Sequence, residues 1–254
     1  MTSFEKLLDI VAELRQKCPW DREQTIESLR TMTIEETYEL SEAILDKDMP
    51  NICKELGDVL LHVVFYALLA QEQSAFNIDD VIEALCNKLV YRHPHVFGDD
   101  TAANAGEVVQ RWAQRKLTEK DGTRSVLAGV PKGLPALIKA YRIQDKVRAV
   151  GFDWEKREEV WDKVKEEIAE WEHELQHGAD KGRAEDELGD ILFAIVNAAR
   201  LYDIDPETAL EHTNKKFIQR FNFIEQQAQQ QNRAIDSLSL DEMNLLWEKA
   251  KTRE

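Results

Sequence analysis

The stretch Glu55-Leu56-Gly57-Asp58-Val59-Leu60-Leu61-His62-Val63-Val64-Phe65 returns later in the chain as Glu187-Leu188-Gly189-Asp190-Ile191-Leu192-Phe193-Ala194-Ile195-Val196. In both copies two acids about one helical turn apart run straight into a nearly continuous apolar segment. Such a segment lacks the two-residue alternation of a half-buried strand. It fits a helix that is apolar on all sides, which belongs inside a core. Gly57 and Gly189 each cost about 1 kcal/mol in a helix relative to Ala, a cost that makes sense where another backbone approaches closely. Reading outward toward the N-terminus, each copy is preceded by a second acidic group, Glu35-Glu36-x-x-Glu39 and Glu166-Glu167-x-x-Glu170. The copies lie 131 residues apart for this group and 132 for the other. The chain is an internal duplication, and it predicts an all-α fold of two tandem helical-bundle repeats.

Helical periodicity continues on either side of these segments. It predicts helices over 4–17, 26–46, 51–73, 78–91 and 104–118, then over 135–149, 157–176, 182–202, 206–231 and 239–251. Asp79-Asp80 and Pro206-Glu207 are acidic or proline-led helix starts. Gly151 and Gly178 stand where C-terminal caps fall. The Gly- and Pro-rich segment 120–135 reads as a linker, so the repeats span 1–119 and 136–254. The duplication reaches past the acids. Trp20-Asp21 precedes the first set and Asp153-Trp154 the second; Lys88 and Arg92 answer Lys216 and Arg220; Trp112-x-x-x-Lys116 answers Trp247-x-x-x-Lys251.

Composition narrows the function. The chain has 254 residues, a formal charge of −16 and 43% hydrophobic residues, enough for packed cores in two domains. An acidic balance argues against binding a nucleic-acid backbone, which needs a basic footprint. The apolar run after Asp58 is too short for a membrane helix, and the N-terminus carries no signal-like region. Cys18, Cys53 and Cys86 form no CxxC pair and fit reduced thiols in a cytoplasmic protein.

Carboxylates three or four apart share a helix face and repel one another. Two such helices side by side aim four or five carboxylates at one volume, and a hard cation such as Mg²⁺ offsets the repulsion. An acidic run alone is usually a solvated face; the buried setting and the duplication favour a metal site here. Lys and Arg nearby suit phosphate oxygens, Arg through two parallel hydrogen bonds. A metal can also acidify water, with a spare glutamate as general base. No GxxxxGK[ST] loop is present. Lys216 and Arg220 read equally as a solvated stripe, and Trp112 and Trp247 equally as core anchors.

EExxE followed by ExxD, together with the text CPWDREQT, EETYEL, ELGDVLLHVVFYA, RHPHVF, VGFDW and ELGDILFAIVN, closely resembles the MazG family of all-α nucleoside triphosphate pyrophosphohydrolases in its tandem form. The resemblance covers essentially the whole chain. It implies hydrolysis of (d)NTPs to monophosphate and pyrophosphate as a house-cleaning activity. It further implies Mg²⁺ as cofactor, with Mn²⁺ a substitute, in a cytoplasmic helical homodimer that engages neither nucleic acid nor membrane. Carried onto this sequence, the metal ligands are Glu167, Glu170, Glu187 and Asp190, and in the first copy Glu36, Glu39, Glu55 and Asp58. Glu166 joins the second set as a catalytic carboxylate. Lys216, Arg220 and Trp247 resemble nucleotide-contacting positions, with Lys116 contributing from the first half and Lys88 and Arg92 as first-repeat counterparts.

Charge separates the copies. Lys163 lies one turn before Glu167, and Arg183 one turn before Glu187, both placed for phosphate oxygens. The matching residues in the first repeat are Met32 and Asn51. The second site is therefore expected to be the principal catalyst. His93-Pro94-His95 reads as a structural helix end, and the other histidines form no triad with Ser or Cys. Two alternatives stay open: a narrower pyrophosphohydrolase of the dUTP or phosphoribosyl-ATP type, and a non-enzymatic ion-binding module.

Overall fold

The computed structural model describes residues 1–101, 104, 108, 111, 125–178 and 181–253. The expected helix 104–118 lies largely outside these residues, and Trp112 and Lys116 lie outside them entirely. Among the described residues the fold is all-α, with no strand. The helices are α1 (Ser3–Lys17), α2 (Pro19–Glu23), α3 (Ile26–Leu45), α4 (Met49–Glu72), α5 (Ile78–Arg92), α6 (Pro94–Phe97), α7 (Ala136–Arg148), α8 (Val160–Gln176), α9 (Lys181–Leu201), α10 (Pro206–Gln230) and α11 (Leu240–Lys251). Apart from the 104–118 element, every expected helix begins and ends within three residues of its observed limits. The short helices α2 and α6 were not anticipated; each opens on a proline, which suits a helix start because it lacks the N–H that would go unpaired there.

The chain divides into two units, Met1–Lys116 and Leu117–Glu254. In the first, α3 and α4 form a helical hairpin. Thr25 caps α3 by accepting the Ser28 N–H, and Asp48 caps α4 by accepting the Asn51 N–H. Between them Lys47 takes a left-handed conformation, φ +56°. Helix α1 packs on α4, and Val11, Leu29, Val64, Phe65 and Leu69 form the buried centre.

In the second unit α8 and α9 form the matching hairpin, and α7 packs on α9 and α10. Val160, Val164, Ala194 and Ala198 make its core, while Ile224, Ala228, Leu238 and Leu246 hold α10 against α11. Gly178 follows α8 at φ +70° and Gly151 follows α7 at φ +89°. Both therefore adopt the left-handed geometry that favours glycine at a helix end.

One expectation fails. The apolar runs of α4 and α9 are not buried on all sides. Val64 and Phe65 are buried, yet Leu60 and Val63 are 40% and 41% exposed, and Leu192 and Ile195 are 48% and 43% exposed. Nor does a backbone crowd Gly57 or Gly189: a Cβ added at either would meet nothing within 4 Å. Each unit covers only one side of its central helix. A continuous apolar sequence does not state which molecule covers the rest.

Candidate active site

The hairpin geometry brings each pair of acidic motifs together. In the first unit Glu36 and Glu39 project from α3 and Glu55 from α4, with one carboxylate oxygen of each lying within 4.8 Å of the others. Asp58 completes the group electrostatically: the Glu36 carboxyl sits above its ordinary range, first because of burial and next because of the charges of Asp58 and Glu39. In the second unit Glu167 on α8 meets Glu187 and Asp190 on α9 within the same 4.8 Å. Glu170 belongs here too. Burial raises its carboxyl, followed by the charge of Glu167, a hydrogen bond to it, and the charge of Glu187. Three of the four expected carboxylates of each repeat thus gather closely, and the fourth, Asp58 in one copy and Glu170 in the other, joins through its charge.

Burial makes these clusters demanding. Glu55 is 2% exposed, and its Oε2 has no hydrogen-bond partner. A buried, ionised oxygen with nothing to bind is costly unless a cation meets it. The donor set is all carboxylate oxygen, the chemistry of Mg²⁺, Mn²⁺ or Ca²⁺ rather than of a thiolate- or imidazole-seeking metal. The residues therefore fit a hard divalent ion.

Lysines partly offset the charge, but from different helices. In the second unit Lys163 Nζ lies 2.6 Å from Glu167 and 2.9 Å from Glu166. Hydrogen bonds to Glu166 and then Glu167 raise the Lys163 pKa well above its ordinary value. Arg183 is exposed and has no ion pair among the described residues. In the first unit Lys54 Nζ lies 2.8 Å from Glu55 Oε1 and 4.0 Å from Asp58. The first repeat does lack cations at Met32 and Asn51, but it is not without one. Sequence reading missed Lys54 because it compared only the turns before Glu167 and Glu187 with their counterparts, whereas Lys54 directly precedes Glu55 and lies one turn before Asp58.

Two further arrangements were not anticipated. Beneath the first cluster, Thr33 Oγ1 donates to the Leu29 carbonyl at 3.0 Å and lies 2.7 Å from both His62 Nδ1 and the Tyr66 hydroxyl. Thr33 Oγ1 thus joins one carbonyl, one imidazole nitrogen and one hydroxyl in a single polar tripod. The matching residues of the second repeat are Val164, Ala194 and Ala198, all in the apolar core. The segment leading into each acidic hairpin is also clamped by an arginine. Arg15 donates to the carbonyls of Asp21, Arg22 and Gln24 and pairs with Glu72. Arg200, 3% exposed, pairs with Asp153 through both carboxylate oxygens. Burial opposes ionisation of Asp153, but Arg200 outweighs it and holds the carboxyl below its ordinary range.

The other expected residues lie on later helices. Arg220 on α10 stacks over Trp247 of α11, guanidinium carbon to ring centroid 5.4 Å, and Phe217 abuts the same ring. Trp247 also packs beside the α10–α11 core, which supports its reading as a core anchor. Lys216 is exposed one turn earlier on α10. Lys88 and Arg92 lie on α5, Lys88 exposed and Arg92 half-buried. His93 donates from Nδ1 to the Leu89 carbonyl at 2.7 Å, at the end of α5.

Comparison with known proteins places this geometry. The model of the MazG nucleotide pyrophosphohydrolase domain matches residues 24–97 and again residues 155–223. The chain is 41% identical over 260 residues to a nucleoside triphosphate pyrophosphohydrolase of Escherichia coli strain K12, spanning 100% of this chain and 99% of that protein. It is 43% identical over 251 residues to the nucleoside triphosphate pyrophosphohydrolase/pyrophosphatase MazG of Thermotoga maritima, spanning 98% and 95%. Each matched segment contains one complete carboxylate foursome. The chain belongs to the MazG nucleotide pyrophosphohydrolase family and carries its domain twice.

Proposed function

We propose that this protein hydrolyses nucleoside and deoxynucleoside triphosphates to the monophosphate and pyrophosphate in a Mg²⁺-dependent reaction at the α-phosphorus. The observation that carries the reading is the buried, unpartnered Glu55 Oε2 inside a carboxylate foursome that recurs in the second repeat, within a chain 41% identical along its length to a named nucleoside triphosphate pyrophosphohydrolase. Glu167, Glu170, Glu187 and Asp190, and Glu36, Glu39, Glu55 and Asp58 in the first repeat, would hold the ion, and Mn²⁺ suits the same oxygens. When bound, such an ion supplies the positive charge that draws a polyphosphate to an acidic protein and makes water more acidic.

The chain's own groups do the rest. Lys163 places an ammonium at the cluster edge for phosphate oxygens, with Arg183 one turn before Glu187. Glu166, paired with Lys163 and outside the tight cluster, is the carboxylate left to take a proton from water. Arg220 on the Trp247 face, with Lys216 beside it, offers cationic and aromatic surface to the nucleotide.

The exposed strips Leu56, Leu60 and Val63 on α4 and Leu188, Leu192 and Ile195 on α9 support a closed homodimer whose partner covers them and approaches Gly57 and Gly189. Three free cysteines suit a cytoplasmic setting. No helix among the described residues is long and apolar enough to cross a membrane. Product chromatography after incubation with NTP and Mg²⁺ decides the reaction: nucleoside monophosphate and pyrophosphate are expected, whereas diphosphate and orthophosphate sink the reading. Light scattering decides the assembly, and a 29.4 kDa species at micromolar concentration rejects the dimer.

A further inference from the structure

The last turn of α8 reads His173-Glu174-Leu175-Gln176 and closes on His177. Residues four apart share a helix face, and these two imidazoles stack with centroids 4.0 Å apart and 28° between their planes. His177 caps the helix twice over. Its backbone N–H donates to the His173 carbonyl at 3.1 Å, and its Nδ1 lies 2.8 Å from the same oxygen. A carbonyl has no proton to give, so Nδ1 carries the hydrogen and the neutral ring keeps its lone pair on Nε2. One ring nitrogen tied to an acceptor while the other points free is the arrangement that orients histidine ligands to metals. Both side chains are exposed.

We propose that His173 and His177, whose exposed rings turn out of this stack to aim one nitrogen each at a common ion, form a chelating site for Zn²⁺, separate from the carboxylate clusters and of different chemistry. Imidazole nitrogens favour borderline ions of this kind, whereas the clusters offer hard oxygen alone. The spacing His-Glu-x-x-His on a helix is one that holds zinc through its two histidines. Among the described residues no third histidine, cysteine or carboxylate gathers with the pair, so water completes the coordination. Glu174 directly follows His173 and therefore does not share its helix face. The site binds an ion; it is not a hydrolytic centre. Its position matters, because Glu166, Glu170, His173 and His177 follow one another at spacings of four, three and four along one side of α8. An ion at the histidines places new positive charge about one turn from Glu170.

The test uses the full ¹⁵N-labelled chain in excess Mg²⁺, titrated with Zn²⁺ while long-range ¹H–¹⁵N spectra follow each imidazole nitrogen. A saturable shift at Nε2 of His177 and at a nitrogen of His173 is expected. His173→Ala should weaken Zn²⁺ binding at least about tenfold by calorimetry, the scale for losing a determinant of a metal site; His93→Ala should leave it unchanged. His177→Ala also loses a cap, so His173→Ala, which keeps the cap, is the deciding variant. Unchanged affinity in His173→Ala, shifts confined to His93 and His95, or no saturable shift at all would each overturn the proposal.

Discussion

The two repeats set the same carboxylates on unlike ground. Below the first cluster lies a polar tripod, Thr33 with His62 and Tyr66; below the second the corresponding places are Val164, Ala194 and Ala198, packed dry. The first cluster's counter-charge, Lys54, comes from α4 beside its own glutamate, while the second's, Lys163, comes from α8. Even the loop clamps differ: Arg15 holds backbone carbonyls as well as the Glu72 carboxylate, and Arg200 holds the loop through the Asp153 carboxylate. What the copies share is the placement of acids on two facing helices; the three that gather most closely are Glu36, Glu39 and Glu55 in one and Glu167, Glu187 and Asp190 in the other. With different support, different counter-ions and different close trios, likeness of the acids in sequence does not make the two sites equivalent in turnover.

The comparison can be broken most violently at the clamps. Arg200 is 3% exposed, and Arg200→Met removes the closer of Asp153's two arginine partners, leaving Arg148 at 3.7 Å. Loss of about 3–5 kcal/mol of stability is expected in urea unfolding. Arg15→Met should cost clearly less, because its partners are backbone carbonyls and a partly exposed Glu72. Equal losses would show that the clamps are interchangeable.

At the clusters, Glu170→Gln should lower kcat at least about a hundredfold in a pyrophosphate-release assay, the scale for losing one pre-organised catalytic charge. Glu39→Gln should cost less than about tenfold. If the two match, the second repeat is not the principal catalyst and Lys54 serves the first site as Lys163 serves the second. Lys54→Met then becomes the sharper variant: it should reproduce the loss seen in Glu39→Gln if Lys54 faces phosphate, and do nothing if it only balances charge.

The tripod offers a smaller effect. Thr33→Val removes the shared hydroxyl and leaves His62 Nδ1 and the Tyr66 hydroxyl without that partner, at a cost of about 1–3 kcal/mol. An unchanged urea midpoint would mean that water replaces the threonine.

Much of this was legible from residues alone. Helix limits followed from apolar periodicity, and the foursomes followed from two carboxylate spacings repeated at one offset, because a helical hairpin leaves few ways to bury both apolar faces. Lys54 was legible only in part: its place one turn before Asp58 could be read from helical spacing, but its closer contact with the adjacent Glu55 depends on side-chain reach. The tripod was not legible. His62 and Tyr66 lie one turn apart, but Thr33 stands 29 and 33 residues before them, and their counterparts in the second repeat are ordinary core residues, so duplication gave no signal. The half-bare sides of α4 and α9 were misread because hydrophobicity records that a face is covered without recording by what.

The smallest effect tests electrostatics without turnover. The Glu170 carboxyl titrates above its ordinary range, so the folded chain binds that proton more readily than the unfolded chain does. Its destabilising contribution is present above the folded pKa and relieved as pH falls through it. Glu170→Gln should therefore raise the Tm of the metal-free chain slightly at neutral pH, and the gain should vanish on acidification. A gain that persists in acid would assign the effect to packing.

Glu55 carries this into the life of the protein. Its sealed, unpartnered oxygen makes folding without a cation more costly. Any ion that seats there binds the native chain and not the unfolded one, and by mass action enlarges the native population. Proteases that act on transiently opened chains sample the remainder. The cellular half-life of this protein should then follow the supply of free divalent metal, with scarcity shortening it before any nucleotide is encountered.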